Sequence, residues 1–382
     1  MPIVPRGPRF PQAPRSARAL LVLLALAGCA EREPIRIGVA GSFGTPIGAP
    51  MLRAAQLAAD EINASGGIDG RPIELVTRDD RADPDSAVAV ATELAASPVV
   101  AVVGHLFSGM SLAAAPVYNG ADRPVAAISP SSSAPEYATT GPWTFRVCPS
   151  DAVHGEALAR WIGDRLELKR GAVLYLDDAY GRGIRAHFVR QFRQRGGTLV
   201  GIDPYLGAAP EVGPFLDRLE RRGGAQFLVV AGNRADAEVV LREARARGLA
   251  VPVLGGDGLE GIEQAGPVAE GTYLTAAYLP AIRSEANSAF VSRYRARFAA
   301  EPPPNQPAAA TYDAIHLLAR VIAEVGPDRE RIRDALADIG TASPAFEGVT
   351  GPIAFDANGD LAARRVYVGL VRGGTVLLAG TL

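Results

Sequence analysis

The sequence predicts an α/β protein built from two consecutive parallel-sheet units. Three observations carry this: short, almost wholly apolar runs recur along the chain, stretches of helical period separate them, and the alternation restarts near residue 150. A length of 382 residues exceeds what one hydrophobic core usually organises, so two domains are expected.

The elements follow in order. Residues 35–40, 73–76, 99–103 and 125–128 are continuous apolar segments, the pattern of strands buried on both faces. Met51, Ala55, Ala58 and Ile62 share one helical face, and Gly66-Gly67 stops that helix by supplying left-handed backbone. Asp83-Pro84 has the chemistry of a helix start, with Asp83 as N-cap and Pro84 in the first turn. In the second unit the strands are 172–176, 199–202, 227–230 and 251–254. Helices around 152–168, 181–195, 211–222 and 234–247 lie between them. The alternation then breaks: residues 284–300, 307–325 and 328–339 are consecutive helices, and short strands follow at 353–355, 364–371 and 375–378. No period of 20–50 residues recurs, which excludes a solenoid.

Composition narrows the function. With 48% hydrophobic and 21% charged residues this is an ordinary globular body, and the formal charge of −2 becomes more negative once the four leader arginines are set aside. Nothing in that balance favours nucleic acid or an anionic membrane surface. The leader itself is an export address. Arg6, Arg9, Arg15 and Arg18 precede the apolar run Ala19 to Ala27, which is too short to span a bilayer. It ends in Leu26-Ala27-Gly28-Cys29, which resembles the lipobox of bacterial lipoproteins; that resemblance implies cleavage before Cys29 and acylation of it. Cys148 is then the only thiol left, so neither an intramolecular disulfide nor a cysteine metal site is available.

Catalytic motifs are wanting. Gly181-Arg182-Gly183-Ile184-Arg185-Ala186 matches a dinucleotide fingerprint, but Asp177 and Asp178 stand between it and its strand and would repel a pyrophosphate. His105, His154, His187 and His316 are scattered without metal spacing, and no nucleophile elbow or phosphate-binding Gly-Lys loop occurs. No cofactor, no metal and no enzymatic activity are expected. What remains are polar loops at the carboxyl ends of strands, where open α/β sheets bind ligands. Ser108, then Ser131, Ser132 and Ser133, then Asp257 occupy such loops. Hydroxyls beside a helix N-terminus suit an anion and a carboxylate across a gap suits a cation, so together they fit a zwitterion. Each also has a structural reading: Ser133 with Glu136 forms a capping-box pattern, and Asp257 can cap a helix starting near Leu259.

The segment Ala59-Asp60-Glu61-Ile62-Asn63 through Gly66-Gly67-Ile68-Asp69-Gly70 to Asp79-Asp80 and Asp83-Pro84 resembles the leucine/isoleucine/valine-binding proteins of ABC importers. So do Gly104-His105-Leu106 with Ser108, Ser129-Pro130 to Glu136, Tyr180-Gly181, Gly248-Leu249 and Gly351-Pro352 to Leu361. The resemblance covers essentially the whole exported chain. It implies a type I periplasmic-binding fold, two doubly wound parallel-sheet lobes joined by three hinge crossings, with a leader at 1–28 and a lipid-anchored linker at 29–34. Residues 35–148 with 280–350 would form the first lobe, and 149–279 with 351–382 the second. It implies that Ser108 and Ser133 hold a ligand carboxylate, that the backbone around Ser131 and the Asp257 side chain hold an ammonium, and that Tyr180 closes over the solute.

Departures concern the side-chain pocket. Asn233 stands where the family has a pocket tyrosine, Pro307-Ala308 lacks an aromatic wall, Asp257 replaces a glutamate, the loop Ser42 to Gly48 is shorter, and Ala82 and Phe107 occupy the positions of a disulfide. The expected partners are a small polar solute, an amino acid or amide, and ABC permease subunits, with the membrane reached only through the lipid anchor. The alternative is a lipid-anchored sensor or accessory protein with the same fold.

Overall fold

A computed structural model describes residues 1, 32–207, 211–299, 304–362 and 365–382. Cys29 and the apolar leader lie outside the described residues. Among those described, no helix is long and apolar enough to cross a membrane.

Two open sheets dominate. The first has the order β2-β1-β3-β4-β5, all parallel, from Ile35–Gly41 (β1), Ile73–Asp79 (β2), Ala101–Val103 (β3), Ala127–Ser129 (β4) and Thr144–Arg146 (β5). The second repeats that order with Arg170–Leu176 (β6), Thr198–Tyr205 (β7), Phe227–Ala231 (β8), Val253–Gly255 (β9) and Tyr273–Ala276 (β10). It adds two antiparallel strands, Tyr367–Arg372 (β13) and Thr375–Thr381 (β14). A hairpin of Phe346–Gly348 (β11) and Gly351–Ile353 (β12) stands apart.

Ten helices cover these sheets in the described residues: Ala49–Ala64 (α1), Pro84–Ala96 (α2), Ser108–Gly120 (α3), Asp151–Arg160 (α4), Ala179–Gln194 (α5), Gly213–Arg222 (α6), Arg234–Ala246 (α7), Glu285–Arg297 (α8), Gln306–Val325 (α9) and Arg329–Asp338 (α10). Asp83 caps α2 as expected, accepting from Ser86 N at 2.8 Å. The helix expected over 152–168 ends in a wider turn at Trp161–Arg165.

The chain crosses between sheets after β5, returns after β10, and crosses again between β12 and β13. Helices α8 to α10 therefore pack on the first sheet, where Phe290, Ile315, Leu318 and Ile332 join Ile37 and Val39 in one core. Two strands of the main sheets escaped the sequence reading, β5 and β10. Each is only three or four residues long and carries Thr or Arg, so neither shows a continuous apolar run. The expected lobe boundary at 350/351 is also corrected. It falls within the β11–β12 hairpin, whose Ile353 and Phe355 are buried in the first core, with Phe355 edge-on to Phe145 at 5.1 Å. Apolar side chains that complete one core cannot belong to the other lobe.

Arg146 ties these crossings to a loop. From the end of β5 its buried guanidinium donates to the carbonyls of Ser132 (3.2 Å) and Ala134 (2.8 Å) and to Asp360 Oδ2 (2.7 Å) on the third crossing.

Candidate functional site

The serines lie where parallel strands end. After β4 the chain turns sharply, and Ser129 Oγ accepts from Ser132 N at 2.9 Å while donating to His105 O at 2.8 Å. This fixes the 129–134 loop against the start of α3. Ser108 opens α3, a helix whose N-terminus has no side-chain cap, and Ser108 Oγ accepts from Ala134 N at 3.2 Å. Ser132 is buried and its hydroxyl is bonded to Ser111. Ser133 is buried and its carbonyl accepts from Asp151 N at 2.7 Å. The expected capping box of Ser133 with Glu136 does not form, because the short turn Pro135–Thr139 starts one residue later and carries no side-chain cap. Ser133 is thereby left for another role.

The opposite wall comes from the second sheet. Asp257 follows β9 in a single turn, Asp257–Leu259, so it does not cap a helix near Leu259. Its Oδ1 accepts from the Tyr180 hydroxyl at 3.0 Å, and the same hydroxyl accepts from Gly258 N at 2.8 Å. Burial, together with the charges of Asp257 and Asp151, pushes the Tyr180 phenol well up, so it stays a donor.

Asn233 has a structural duty. It is the N-cap of α7, in a capping box with Asp236: Asn233 Oδ1 accepts from Asp236 N and Asp236 Oδ2 accepts from Asn233 N. Asn233→Ala is expected to lower stability by about 1 kcal/mol, read as a lower melting temperature. If solute affinity measured by calorimetry falls more than tenfold instead, the amide reaches the ligand as well.

Two residues that sequence reasoning missed stand between the walls. Asp151, the first residue of α4, is fully buried, and neither carboxylate oxygen has a hydrogen-bond partner. Burial and the charge of Asp257 push its carboxyl well above the usual range; the Ser133 hydroxyl offsets part of this from outside hydrogen-bonding geometry. His154, one turn along, is buried with Nδ1 3.0 Å from Thr275 Oγ1 and Nε2 3.6 Å from Asp257 Oδ2. Gly183 makes room for this: a Cβ there would fall 2.4 Å from Asp151 Oδ2. Of the glycines that mimic a dinucleotide fingerprint, Gly183 thus serves close packing of α5 on α4, while Gly181 lets α5 approach the ends of β6 and β8, where a Cβ would meet Leu176 O and Ala231 O. In sequence, Asp151 reads as an ordinary acid in a first helical turn. The usable signal was its place directly after a crossing.

The geometry can therefore hold a small solute by both ends, hydroxyl and amide donors on one side and carboxylates with a phenol on the other. No group of three or more His, Cys, Asp or Glu side chains among the described residues could hold a metal ion. Cys148 is buried, and burial pushes its thiol up, away from nucleophilic thiolate.

A two-lobed α/β fold with three crossings and such a cleft defines the class of type I periplasmic-binding proteins. The family model described as periplasmic binding protein matches residues 34–375, and the chain belongs to that family, in its leucine/isoleucine/valine-binding branch. The leucine-, isoleucine-, valine-, threonine-, and alanine-binding protein of Pseudomonas aeruginosa is 31% identical over 351 residues, covering 88% of this chain and 91% of that one. Among solved structures, the branched-chain amino acid transporter substrate binding protein LivJ of Streptococcus pneumoniae, in complex with isoleucine, superposes with a TM-score of 0.82. The two share 29% identity over 91% of this chain and 98% of that one. An ABC transporter substrate-binding protein of Desulfitobacterium hafniense in complex with Leu gives 0.79 at 29% identity, covering 91% and 100%. Members of the family are exported substrate-binding proteins of transporters, not enzymes.

Proposed function

We propose that the chain is the solute-capturing lipoprotein of an ABC importer, anchored through Cys29 on the periplasmic side, and that it binds an amino acid or related small polar solute by closing its lobes. The observation that carries this reading is the arrangement at the crossings. Ser108 and Ser133 on one side oppose Asp151, Tyr180 and Asp257 on the other, with the Ser133–Asp151 backbone bond joining the two walls. Ser108, Ser133 and the open N-terminus of α3 hold the carboxylate. Asp257, with Asp151 and the carbonyls near Ser131, holds the ammonium, and Tyr180 swings with its lobe to cover it. Charge-assisted hydrogen bonds of this kind contribute roughly 1.5–3 kcal/mol each, so four or five offset ordering costs and reach about micromolar affinity. Closure then converts occupancy into a shape that permease subunits read.

Small-angle scattering with a panel of amino acids and amides tests this. The radius of gyration is expected to fall on adding the true solute, in step with calorimetric binding. A profile that stays constant while no solute of the panel binds would sink the proposal. The anchor is tested separately: Cys29→Ala is expected to release the protein from membranes, and unchanged membrane retention would remove the lipid.

A further inference from the structure

Beyond the head-group site, the carboxylate of Glu260 stands at the mouth of the cleft. It follows the Asp257–Leu259 turn on the second sheet and reaches across to the first lobe, where its Oε1 accepts from Gln306 N at 2.7 Å at the start of α9. Gln306 in turn donates from Nε2 to Pro130 O at 2.9 Å, one residue before the serine loop, and neighbouring Asn305 donates to Ile47 O at 2.9 Å. Glu260 is therefore placed beside the solute loops of both lobes.

Its Oε2 takes no hydrogen bond among the described residues, and Asp257 stands three residues before it at the start of the same turn. Burial, with the charges of Asp257 and Glu263, pushes Glu260 up to about 8 despite the bond from Gln306 N. The cation beside this turn is engaged elsewhere: Arg234 reaches Gly261 O at 3.5 Å and Gln264 Oε1 at 2.6 Å. Asp151, buried with both oxygens unpartnered, independently leaves carboxylate oxygens open to a ligand's donors. One ammonium answers Asp257 and Asp151. A second carboxylate group at the mouth, half committed to a backbone amide, calls for a second cation.

We infer that the solute is a basic amino acid, its side-chain amino or guanidino group meeting Glu260 Oε2 while its aliphatic stem passes Ile47. This rests on the amino-acid reading of the head-group site. In that reading Glu260 is a specificity-determining residue, not merely a closing contact.

Calorimetry with L-lysine, L-arginine, L-leucine and L-isoleucine, on the wild-type chain and on Glu260→Gln, tests it. The wild type is expected to bind L-lysine or L-arginine at least about tenfold tighter than L-leucine or L-isoleucine, and Glu260→Gln, which keeps an acceptor for Gln306 N, to erase that preference. Equal or tighter binding of L-leucine or L-isoleucine by the wild type overturns the inference and leaves the amino-acid reading standing. So does a Glu260→Gln variant that weakens all four solutes alike, because a simple latch behaves that way. Failure of all four to bind overturns the inference, and the panel of amino acids and amides then decides the amino-acid reading.

Discussion

Asp257→Ala is expected to weaken binding of the cognate solute by several kcal/mol, about 2–5 by the measured cost of removing one partner of a desolvated charge pair. The loss is large because Asp257 is nearly buried and cannot be replaced by water once the lobes close. The protein itself should tolerate the change. Tyr180 loses one acceptor but keeps the bond from Gly258 N, and removing Asp257 relieves repulsion on Asp151. Calorimetric titration and a melting curve separate the two effects. Tyr180→Phe gives the comparison: it removes a neutral hydroxyl and should cost only about 1 kcal/mol. Equal affinity of Asp257→Ala and wild type would take Asp257 out of the site.

Much of this architecture was legible in the sequence, and particular residues show why. Strands inside the sheets, such as β1 and β8, are buried on both faces and so announce themselves without alternation. Helix α1 keeps one buried stripe and ends at glycines. The site was less legible. Ser108 and Ser131 could be proposed because they follow strands, but Ser132 could not be told from its neighbours. Its inward turn depends on a bond to Ser111, 21 residues away. Asp151 and His154 were hidden because their significance is tertiary: a first-turn acid and a helical histidine acquire meaning only when β9 brings Asp257 to them. Glu260 is the same case, since its partner is the amide of Gln306, 46 residues later. Side chains that act across the cleft leave no local pattern.

The first sheet contains a second buried device, a hydrogen-bonded cluster at the ends of its strands. His105 Nδ1 lies 2.7 Å from Asp80 Oδ2, His105 Nε2 lies 3.0 Å from the Tyr118 hydroxyl, and Ser42 Oγ donates to Asp80 Oδ1 at 2.6 Å. The assignment that satisfies every group has Tyr118 donating to Nε2 and Nδ1–H donating to Asp80. Burial pushes the Tyr118 phenol well up, which keeps its proton in place. Four residues from the ends of β1, β2 and β3 and from α3 are thus joined at the edge where the solute loops begin. The loops after β2 and β3 carry Ala82 and Phe107, the positions at which the sequence resemblance implies a disulfide in relatives, and Asp80 Oδ1 also accepts from Ala82 N at 3.1 Å. A hydrogen-bonded relay connects them instead.

His105→Ala is expected to cost about 3 kcal/mol of stability, because it strands a buried carboxylate and a buried phenol and leaves a cavity. Acid adds a second signature. Burial opposes the Asp80 charge, but the bonds from His105 and Ser42 outweigh it and hold the carboxyl below the usual range. A depressed folded-state value means that this stabilisation is complete above the unfolded value of about 3.9 and is lost as pH falls through the lower folded value. Denaturant melts of wild type and His105→Ala between about pH 7 and pH 2.5 should therefore converge toward the acid end. A gap that stays constant over that range would mean the relay contributes packing alone, without the charge of Asp80.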